Sequence, residues 1–253
     1  MVVINLDRSR DRWAAFQQAN DKHVVYERFR ACDGKDLSRA ELEKTGVIRP
    51  DLVYTSGAIG NAVSHISLWQ RTVSQGQNLT ICEDDAIFNR GFAAWSEKLL
   101  NQLAGNFDFI LWGWNFDAVM TYDMLPGVSH SSAIFDQAAL RNSLDRFQSL
   151  GFTPSFYRLR CAFGLPCYTI SPHGAALLLK TCLPLAPMRV KFPGCQEPMT
   201  NTAIDIAMSV LYPSMRAFVP LPPLVVTPNV HEISTVQREG SEPPSGFPAG
   251  TTR

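Results

Sequence analysis

The chain has 253 residues, of which 45% are hydrophobic and 18% are charged, so it is long enough to bury one large core or two small ones. Lysine and arginine together number 23, aspartate and glutamate together also number 23, and the formal net charge is zero. This balance argues against a general nucleic-acid-binding protein, because such a protein carries a basic excess.

Strands and helices alternate along most of the sequence. Runs of β-branched residues indicate the strands, and apolar residues spaced three and four apart indicate the helices. This alternation predicts an α/β domain with a single, mostly parallel, twisted sheet flanked by helices, and a long irregular stretch is expected after residue 115. In chain order we predict a strand at 2–6, a helix that begins at Asp7 or Ser9 and ends near Asn20, a strand at 24–29, a helix at 59–73, a strand at 79–82, a helix at 93–103, strands at 107–115 and 165–170, helices at 172–182 and 202–212, and a proline-broken extended segment at 216–226.

One domain is expected over residues 1–238, followed by a disordered tail over 239–253, because the last residues are rich in proline, glycine and serine. The six cysteines form no C-x-x-C pair and several lie in apolar runs, which favours free thiols in a reducing compartment. Charges occur too early for a signal peptide, and no apolar run approaches the roughly 20 residues that span a bilayer. The expected location is cytoplasmic, with at most a peripheral contact at the inner membrane.

Three consecutive acids interrupt an apolar segment, LTICEDDAIF at 79–88. Adjacent like charges repel, and partial burial raises their pKa values unless a cation neutralises them, so we expect a positive partner. The acids follow a predicted strand, and the ligands of open α/β sheets gather at the carboxyl ends of strands. On an extended backbone Glu83 and Asp85 would point to one side and Asp84 to the other. This arrangement predicts a site for a hard divalent cation that also binds substrate phosphates.

Several common catalytic motifs are missing from the sequence. No G-x-G-x-x-G follows a strand, and no G-x-x-x-x-G-K-[ST] occurs, which argues against a dinucleotide dehydrogenase and a P-loop enzyme. No G-x-S-x-G elbow of a hydrolase is present, and the five histidines are scattered, which disfavours a zinc hydrolase. Carboxylates, arginines and a metal remain, and these groups suit a phosphorylated or nucleotide-linked substrate.

Five segments of the sequence follow the order and spacing of one known family, and they are VINLDRSRDRW near the start, ACDG at 31–34, GAIGNAVSHISLWQ at 57–70, ICEDDAIF at 81–88 and YTISPHGAALLL at 168–179. Together they resemble glycosyltransferase family 25, which includes bacterial lipopolysaccharide and lipooligosaccharide sugar transferases and the procollagen galactosyltransferases. The resemblance implies a GT-A-like nucleotide-binding fold, a UDP-galactose or UDP-glucose donor, a divalent metal, commonly Mn²⁺, and inverting transfer by a single displacement. Asn61 stands where the family usually has a Cys or another small residue. The resemblance covers most of residues 2–180.

The resemblance also implies roles for individual residues. In such folds the first acid of the triplet contacts the nucleotide ribose and the last binds the metal, which assigns Glu83 to the ribose and Asp85 to the metal. A late histidine sometimes completes the metal site, and His231 is the candidate. The residues expected to bind the donor are Asn5, Leu6, Arg8, Asp33, Gly34, Ser64, His65, Glu83 and Asp84.

Three arginines near the start of the chain have a structural alternative. Arg8, Arg10 and Arg12 could form the exposed face of an early helix, although Arg8 could equally pair with a diphosphate. Asp33 could form an Asx-turn instead of binding the nucleotide, and Gly34 could serve the backbone alone.

Aromatic and histidine candidates have similar alternatives. His65 could be a structural histidine rather than a donor contact. Trp112 and Trp114 could stack on sugar rings, but core packing is the more frequent role of such residues.

The resulting prediction is a hexosyltransferase that uses a UDP-sugar and a glycan, glycolipid or lipopolysaccharide-type acceptor. The alternatives are a non-catalytic nucleotide-sugar-binding protein and a metal-dependent nucleotidyltransferase. An inverting transfer needs a base, and Asp205 is the candidate because a lone acid in an apolar helical segment is costly unless it faces a cleft. Asp205 could instead stabilise a helix dipole, and Glu197 is then the next candidate.

Overall fold

The computed structural model describes residues 1–193 and 195–230. The strands within these ranges are β1 (Val2–Asn5), β2 (Glu27–Arg30), β3 (Leu79–Glu83), β4 (Ile87–Phe88), β5 (Phe109–Gly113), β6 (Met120–Leu125), β7 (Ser129–Ala133), β8 (Ser155–Cys161), β9 (Cys167–Ile170), β10 (Arg189–Val190), β11 (Met199–Thr200), β12 (Ala217–Leu221) and β13 (Val225–Val226). The helices are α1 (Arg10–Asn20), α2 (Arg39–Lys44), α3 (Ser56–Gln75), α4 (Phe92–Leu103), α5 (Gln137–Arg141), α6 (Leu144–Ser149), α7 (Pro172–Cys182) and α8 (Ile204–Ser209), with a 3₁₀ turn at Tyr212–Ser214.

A nine-stranded sheet forms the centre of the described part of the chain, in the order β2-β1-β3-β9-β5-β12-β8-β6-β7. β1 pairs in parallel with β2 and β3, and β5 pairs in parallel with β12. The other five pairings are antiparallel. The predicted α/β fold with one large sheet flanked by helices is therefore confirmed, but the sheet is mixed rather than mostly parallel.

The segment expected to be irregular after residue 115 contains the antiparallel strands β6, β7 and β8. That expectation was wrong because β7 (SHSSA) is a polar, largely exposed edge strand without an apolar run. A short turn joins β6 to β7, and two strands joined so closely can only pair antiparallel. These pairings, together with the antiparallel pairings of β9 with β3 and β5 and of β8 with β12, make the sheet mixed.

Helices cover both faces of the sheet. Val2 and Ile81 belong to a core shared with α3 and α7, whereas Val3 and Cys82 belong to a second core shared with α1 and α4. Because successive side chains of a strand point to opposite faces, one strand supplies both cores. Trp112 and Trp114 are 0% and 1% exposed, which confirms their interpretation as core residues.

The loop at 31–34 lies directly against the first turns of α3. A Cβ atom on Gly34 would lie 1.7 Å from the carbonyl oxygen of Ser56, and one on Gly60 would lie 2.5 Å from that of Cys32. Only glycine allows so close a backbone approach, so Gly34 has the structural role that the sequence left open. This contact fixes the loop beside the carboxyl end of β1.

Other expectations concern the whole chain. All six cysteines are free, as predicted. None of the helices in the described ranges has the length and apolarity needed to span a bilayer. The predicted boundary at residue 238 and the predicted tail at 239–253 lie outside the described residues.

Candidate functional site

The acidic triplet lies where two parallel strands end. β1 ends at Asn5 and β3 ends at Glu83, and Ile4 is the register partner of Glu83. Asp84 and Asp85 form a turn, in which the amide of Ala86 donates to the carbonyl oxygen of Glu83 at 3.3 Å. The extended alternation predicted for the three acids was therefore wrong after Glu83, because the chain reverses there. Each carboxylate consequently has its own set of partners.

Arg12 provides the positive partner that the triplet predicted. Its guanidinium forms an ion pair with Asp84 and lies 3.5 Å from Oδ2 of Asp85. Burial alone would lower the pKa of Arg12, but the charges of the acids outweigh it and raise that pKa. The interpretation of Arg12 as part of an exposed helix face was wrong. A usable signal was its spacing of four residues from Phe16, because that spacing places both on one face of α1, and Phe16 is buried.

Asp84 is held inside the protein. Its Oδ2 accepts a hydrogen bond from Nδ2 of Asn5 at 2.6 Å, and Oδ1 of Asn5 accepts one from Nε of Arg28 at 2.8 Å. Burial raises the pKa of Asp84, although Arg12 and Asn5 act in the opposite direction. Asn5 and Asp84 thus join the ends of β1 and β3 to each other, so their side chains are engaged within the protein.

Glu83 is held from the side of α3. Its Oε1 accepts a hydrogen bond from Nδ2 of Asn61 at 3.0 Å and lies 3.4 Å from Nε2 of His65. Burial alone would raise the pKa of Glu83, but His65, Asn61 and Arg12 outweigh it and lower that pKa. Asn61 and His65 are four residues apart on one helix, so both point toward Glu83. The sequence had assigned no role to Asn61.

Asp85 is the least satisfied of the three acids. Its Oδ1 is buried without a hydrogen-bond partner in the described part of the chain, and so is Nε of Arg12. Burial and the charge of Glu83 raise the pKa of Asp85 to about 7, although Arg12 opposes this change. Buried polar atoms are nearly always paired in proteins, so these two atoms call for a partner such as a water, an ion or a ligand group.

The metal prediction can be compared with the residues around Asp85. Across residues 1–193 and 195–230, no group of three or more His, Cys, Asp or Glu side chains could hold a metal ion. His231 lies outside the described residues. The unpartnered Oδ1 of Asp85 fits a metal that takes its other ligands from water and a diphosphate, which is the binding mode of hard divalent cations at phosphate sites.

Arg8 and Asp33 form an ion pair at the same edge of the sheet. Nε of Arg8 lies 2.5 Å from Oδ2 of Asp33, and the Arg8 side chain is 44% exposed. The amide of Lys35 donates to Oδ1 of Asp33 at 3.1 Å, which is the Asx-turn that the sequence left open. Donor binding by these two residues stays a prediction.

Ser64 and Leu6 differ in exposure. Ser64 is fully buried, and its hydroxyl accepts a hydrogen bond from the amide of Cys32 and donates one to the carbonyl oxygen of Gly60. Ser64 therefore holds the loop at 31–34 against α3. Leu6 is half-buried just after β1, and its predicted donor contact stays a prediction.

Asp205 lies in the first turn of α8. Its Oδ2 accepts a hydrogen bond from the amide of Gly164 at 2.8 Å, and its Oδ1 accepts one from the amide of Ile206 at 2.9 Å. Burial raises the pKa of Asp205, the amide of Gly164 lowers it, and the negative charge of Glu83 raises it further. The pKa of Asp205 therefore depends on the charge of Glu83 in the triplet. Glu197, the other candidate base, is exposed.

A cavity of about 400 Å³ lies at the carboxyl end of β1, and none of the three acids is among its lining residues. Its lining includes Asn5, which bonds to Asp84. The ring of Trp13 and the guanidinium of Arg28, 5.6 Å from the ring centroid, form another part of the wall. The cavity is lined by Asn5, Asp7, Arg10, Trp13 and Arg28.

The chain matches glycosyltransferase family 25 (LPS biosynthesis protein) over residues 1–191. This range includes α1, α3, β3 and the whole acidic triplet. No curated protein shows significant similarity to the chain. Among solved structures, the crystal structure of A197 from STIV is similar at 12% sequence identity and a TM-score of 0.38, over 88% of this chain and 81% of that chain.

Proposed function

The chain belongs to glycosyltransferase family 25, and we propose that it moves galactose or glucose from a UDP-sugar to a glycan or lipopolysaccharide-type acceptor in a metal-dependent, inverting reaction. Family membership makes the chain a glycosyltransferase of the lipopolysaccharide biosynthesis family. The proposal adds the donor, the metal, the hexose and the stereochemistry. It rests on the chemistry of the groups gathered at the carboxyl ends of β1 and β3.

One observation carries the proposal. Oδ1 of Asp85 and Nε of Arg12 are both buried without a hydrogen-bond partner in the described part of the chain, and they belong to side chains whose Oδ2 and Nη2 lie 3.5 Å apart. An unsatisfied acceptor atom and an unsatisfied donor atom on neighbouring side chains suit a ligand that presents both a cation and anionic oxygens. A divalent metal bound to a nucleotide diphosphate is such a ligand. Asp85 would hold the metal, and Arg12 would face the phosphate oxygens.

The proposed reaction breaks the bond between the anomeric carbon and the diphosphate oxygen while the acceptor oxygen attacks from the opposite face. The leaving diphosphate gains negative charge, which must be stabilised. The metal, when bound, neutralises part of this charge as a Lewis acid. Arg12 contributes a fixed positive charge, and Glu83 accepts a hydrogen bond from a ribose hydroxyl to align the nucleotide.

Asp205 would remove the proton from the acceptor hydroxyl as its oxygen attacks. The raised pKa of a buried carboxyl makes it a stronger base than an exposed one. Its hydrogen bond from the amide of Gly164 fixes Oδ2, which orients the carboxylate. The proton therefore moves from the acceptor hydroxyl to Asp205, and the electron pair of the broken bond leaves with UDP.

The test is calorimetry with UDP, with and without MnCl₂, on the wild type and on Asp85→Ala, with Asp11→Ala as an exposed acid control on α1. We expect metal-dependent UDP binding in the wild type and the control, and none in Asp85→Ala. Equal affinity in all three proteins, with or without Mn²⁺, would overturn the metal assignment.

Turnover is tested separately by incubating the protein with UDP-galactose or UDP-glucose and Mn²⁺. Slow release of UDP supports a transferase, because water replaces the missing acceptor. Binding without release would indicate a non-catalytic nucleotide-sugar-binding protein. Release of pyrophosphate would indicate a nucleotidyltransferase.

A further inference from the structure

We propose that His65 is a positioning residue that orients Glu83 as a neutral imidazole with its proton on Nε2, and that it does not touch the donor. This inference rests on the proposed function, because it concerns how Glu83 is presented to the ribose. His65 is completely buried, whereas the Glu83 side chain is 25% exposed. A ligand that approaches from solvent can therefore contact Glu83 but not His65.

The tautomer follows from a chain of hydrogen bonds behind the site. Nε1 of Trp69 lies 2.9 Å from the hydroxyl oxygen of Tyr168, and an indole N–H can only donate. The Tyr168 oxygen is thus an acceptor toward Trp69. The same oxygen lies 2.9 Å from Nδ1 of His65. Tyr168 is fully buried, and within the described part of the chain Nδ1 is the only acceptor within hydrogen-bond distance of its hydroxyl, so the hydroxyl proton is directed at that nitrogen. Nδ1 is then an acceptor without a proton, and the imidazole proton is on Nε2.

The Nε2 proton faces Glu83. Nε2 of His65 lies 3.4 Å from Oε1 of Glu83, and Nδ2 of Asn61 donates to the same oxygen at 3.0 Å. Two donors on Oε1 fix the plane of the carboxylate. The other oxygen, Oε2, is left to accept a hydrogen bond from a hydroxyl of the ligand.

The network is anchored in the core on two elements. Trp69 and His65 belong to α3, and Tyr168 belongs to β9, and all three side chains are fully buried. Rings of His65 and Tyr168 stack with their centroids 5.7 Å apart. Since close packing leaves these side chains little freedom, the imidazole holds a fixed orientation toward Glu83.

The tautomer can be measured without any ligand. Protein labelled with ¹⁵N-histidine is examined by NMR through the couplings between ring nitrogens and ring protons, and the His65 signals are identified by their loss in His65→Gln. We expect an unprotonated Nδ1 and a protonated Nε2. A proton on Nδ1, alone or together with one on Nε2, would overturn the proposal while leaving the proposed function standing.

The positioning role is tested by comparing the affinity for UDP with that for its 2′-deoxy and 3′-deoxy analogues in the presence of Mn²⁺. In the wild type, one analogue should bind roughly 10-fold more weakly, as expected for the loss of a hydrogen bond to a charged group. His65→Leu should lose this discrimination, because Glu83 is no longer held. His65→Gln, whose amide N–H can take the place of Nε2–H, should restore it.

Trp69→Phe serves as the matched structural control. It removes the far end of the same network but leaves the Tyr168–His65–Glu83 contacts, so it should keep the discrimination even if it lowers the melting temperature. Unchanged discrimination in folded His65→Leu, or its loss in all three variants in proportion to stability, would overturn the positioning role. A wild type that binds no UDP would instead overturn the proposed function, and with it this inference.

Discussion

Arg12 on α1 forms a buried ion pair with Asp84 in the turn after β3. The pair connects the first helix to the acidic triplet and places a permanent positive charge beside Asp85, 3.5 Å from its Oδ2. The three acids thus remain together with one cation already supplied by the chain. That cation reduces their mutual repulsion, while Oδ1 of Asp85 has no hydrogen-bond partner among residues 1–193 and 195–230.

Replacing this cation should destabilise the protein. Arg12→Met removes the charge but keeps an unbranched side chain, and it leaves Asp84 buried beside Glu83 and Asp85. We expect a loss of about 2–4 kcal/mol in the free energy of unfolding, measured by urea denaturation at pH 7.5. Arg10→Met, at an exposed position of the same helix, should change it by less than about 0.5 kcal/mol. Similar effects of the two variants would show that the ion pair is dispensable.

The unusual pKa of Asp85 predicts a pH-dependent stability. Its folded-state pKa of about 7 lies above the ordinary value of 3.8, so the folded protein holds an extra proton between those values. The charged carboxylate therefore costs stability above pH 7, and this cost disappears as the pH falls toward 4. Asp85→Asn should be more stable than the wild type by about 1–3 kcal/mol at pH 8, and by little at pH 4.5.

The measurement is thermal denaturation in metal-free buffer at several pH values. Asp11→Asn is the control, and it should follow the wild type at every pH. A constant difference between Asp85→Asn and the wild type across this range would contradict the assignment. Addition of Mn²⁺ and UDP should stabilise the wild type but not Asp85→Asn.

The sequence predicted those features that depend on local patterns. α7 occupies 172–182 as expected, because Pro172 at the helix start and an apolar face mark it clearly. The position of the triplet at a strand end and its need for a cation were also local inferences. The cation itself was missed, although the spacing of four residues between Arg12 and the apolar Phe16 places Arg12 on the buried face of α1.

Local sequence patterns could not predict contacts between residues that are far apart in the sequence. His65 and Tyr168 are 103 positions apart in the sequence, and their hydrogen bond depends on β9 lying next to β3. That order follows from the antiparallel insertion of β9 between β3 and β5. The spacing of Asn61 and His65 did place them on one helical face, but only the fold shows that Glu83 lies opposite them.

A second charged cluster, formed by Asp108, His173 and Arg216, lies just before the start of β5. We expect it to determine the stability of the protein at acidic pH. Burial alone would raise the pKa of Asp108, but hydrogen bonds from Arg216 and His173 lower it to about 2. Oδ1 of Asp108 lies 2.6 Å from Nη2 of Arg216. The ionised carboxylate therefore contributes stability above pH 4 that is lost as the pH falls toward 2.

Asp108→Asn removes this contribution. It should lower the free energy of unfolding by about 2 kcal/mol at pH 6, and the difference from the wild type should shrink between pH 4 and pH 2. Urea denaturation across this range measures it. Asp51→Asn, at an exposed position, is the control and should show no such trend. A difference that grows toward low pH would contradict the assigned direction of the pKa change.

A substitution of Asp205 can distinguish a catalytic role of this residue from a structural one. Asp205→Asn keeps an oxygen that can accept a hydrogen bond from the amide of Gly164, so we expect the variant to fold. Its affinity for UDP should stay within about 2-fold of that of the wild type. It cannot take a proton, so transfer to an acceptor should fall by about 10²–10⁴-fold, the usual contribution of a general base. Single-turnover transfer from the UDP-sugar, alongside calorimetry with UDP and Mn²⁺, measures both quantities.

Glu197→Gln is the control for this variant, because Glu197 is exposed and was the other candidate base. It should leave transfer unchanged. Loss of transfer in Glu197→Gln, with full activity in Asp205→Asn, would move the base to Glu197. Parallel loss of melting temperature, UDP affinity and transfer in Asp205→Asn would show that Asp205 serves the start of α8 instead. The charge of Glu83 helps to raise the pKa of Asp205. In Glu83→Gln the transfer rate should therefore begin to rise at a lower pH than in the wild type.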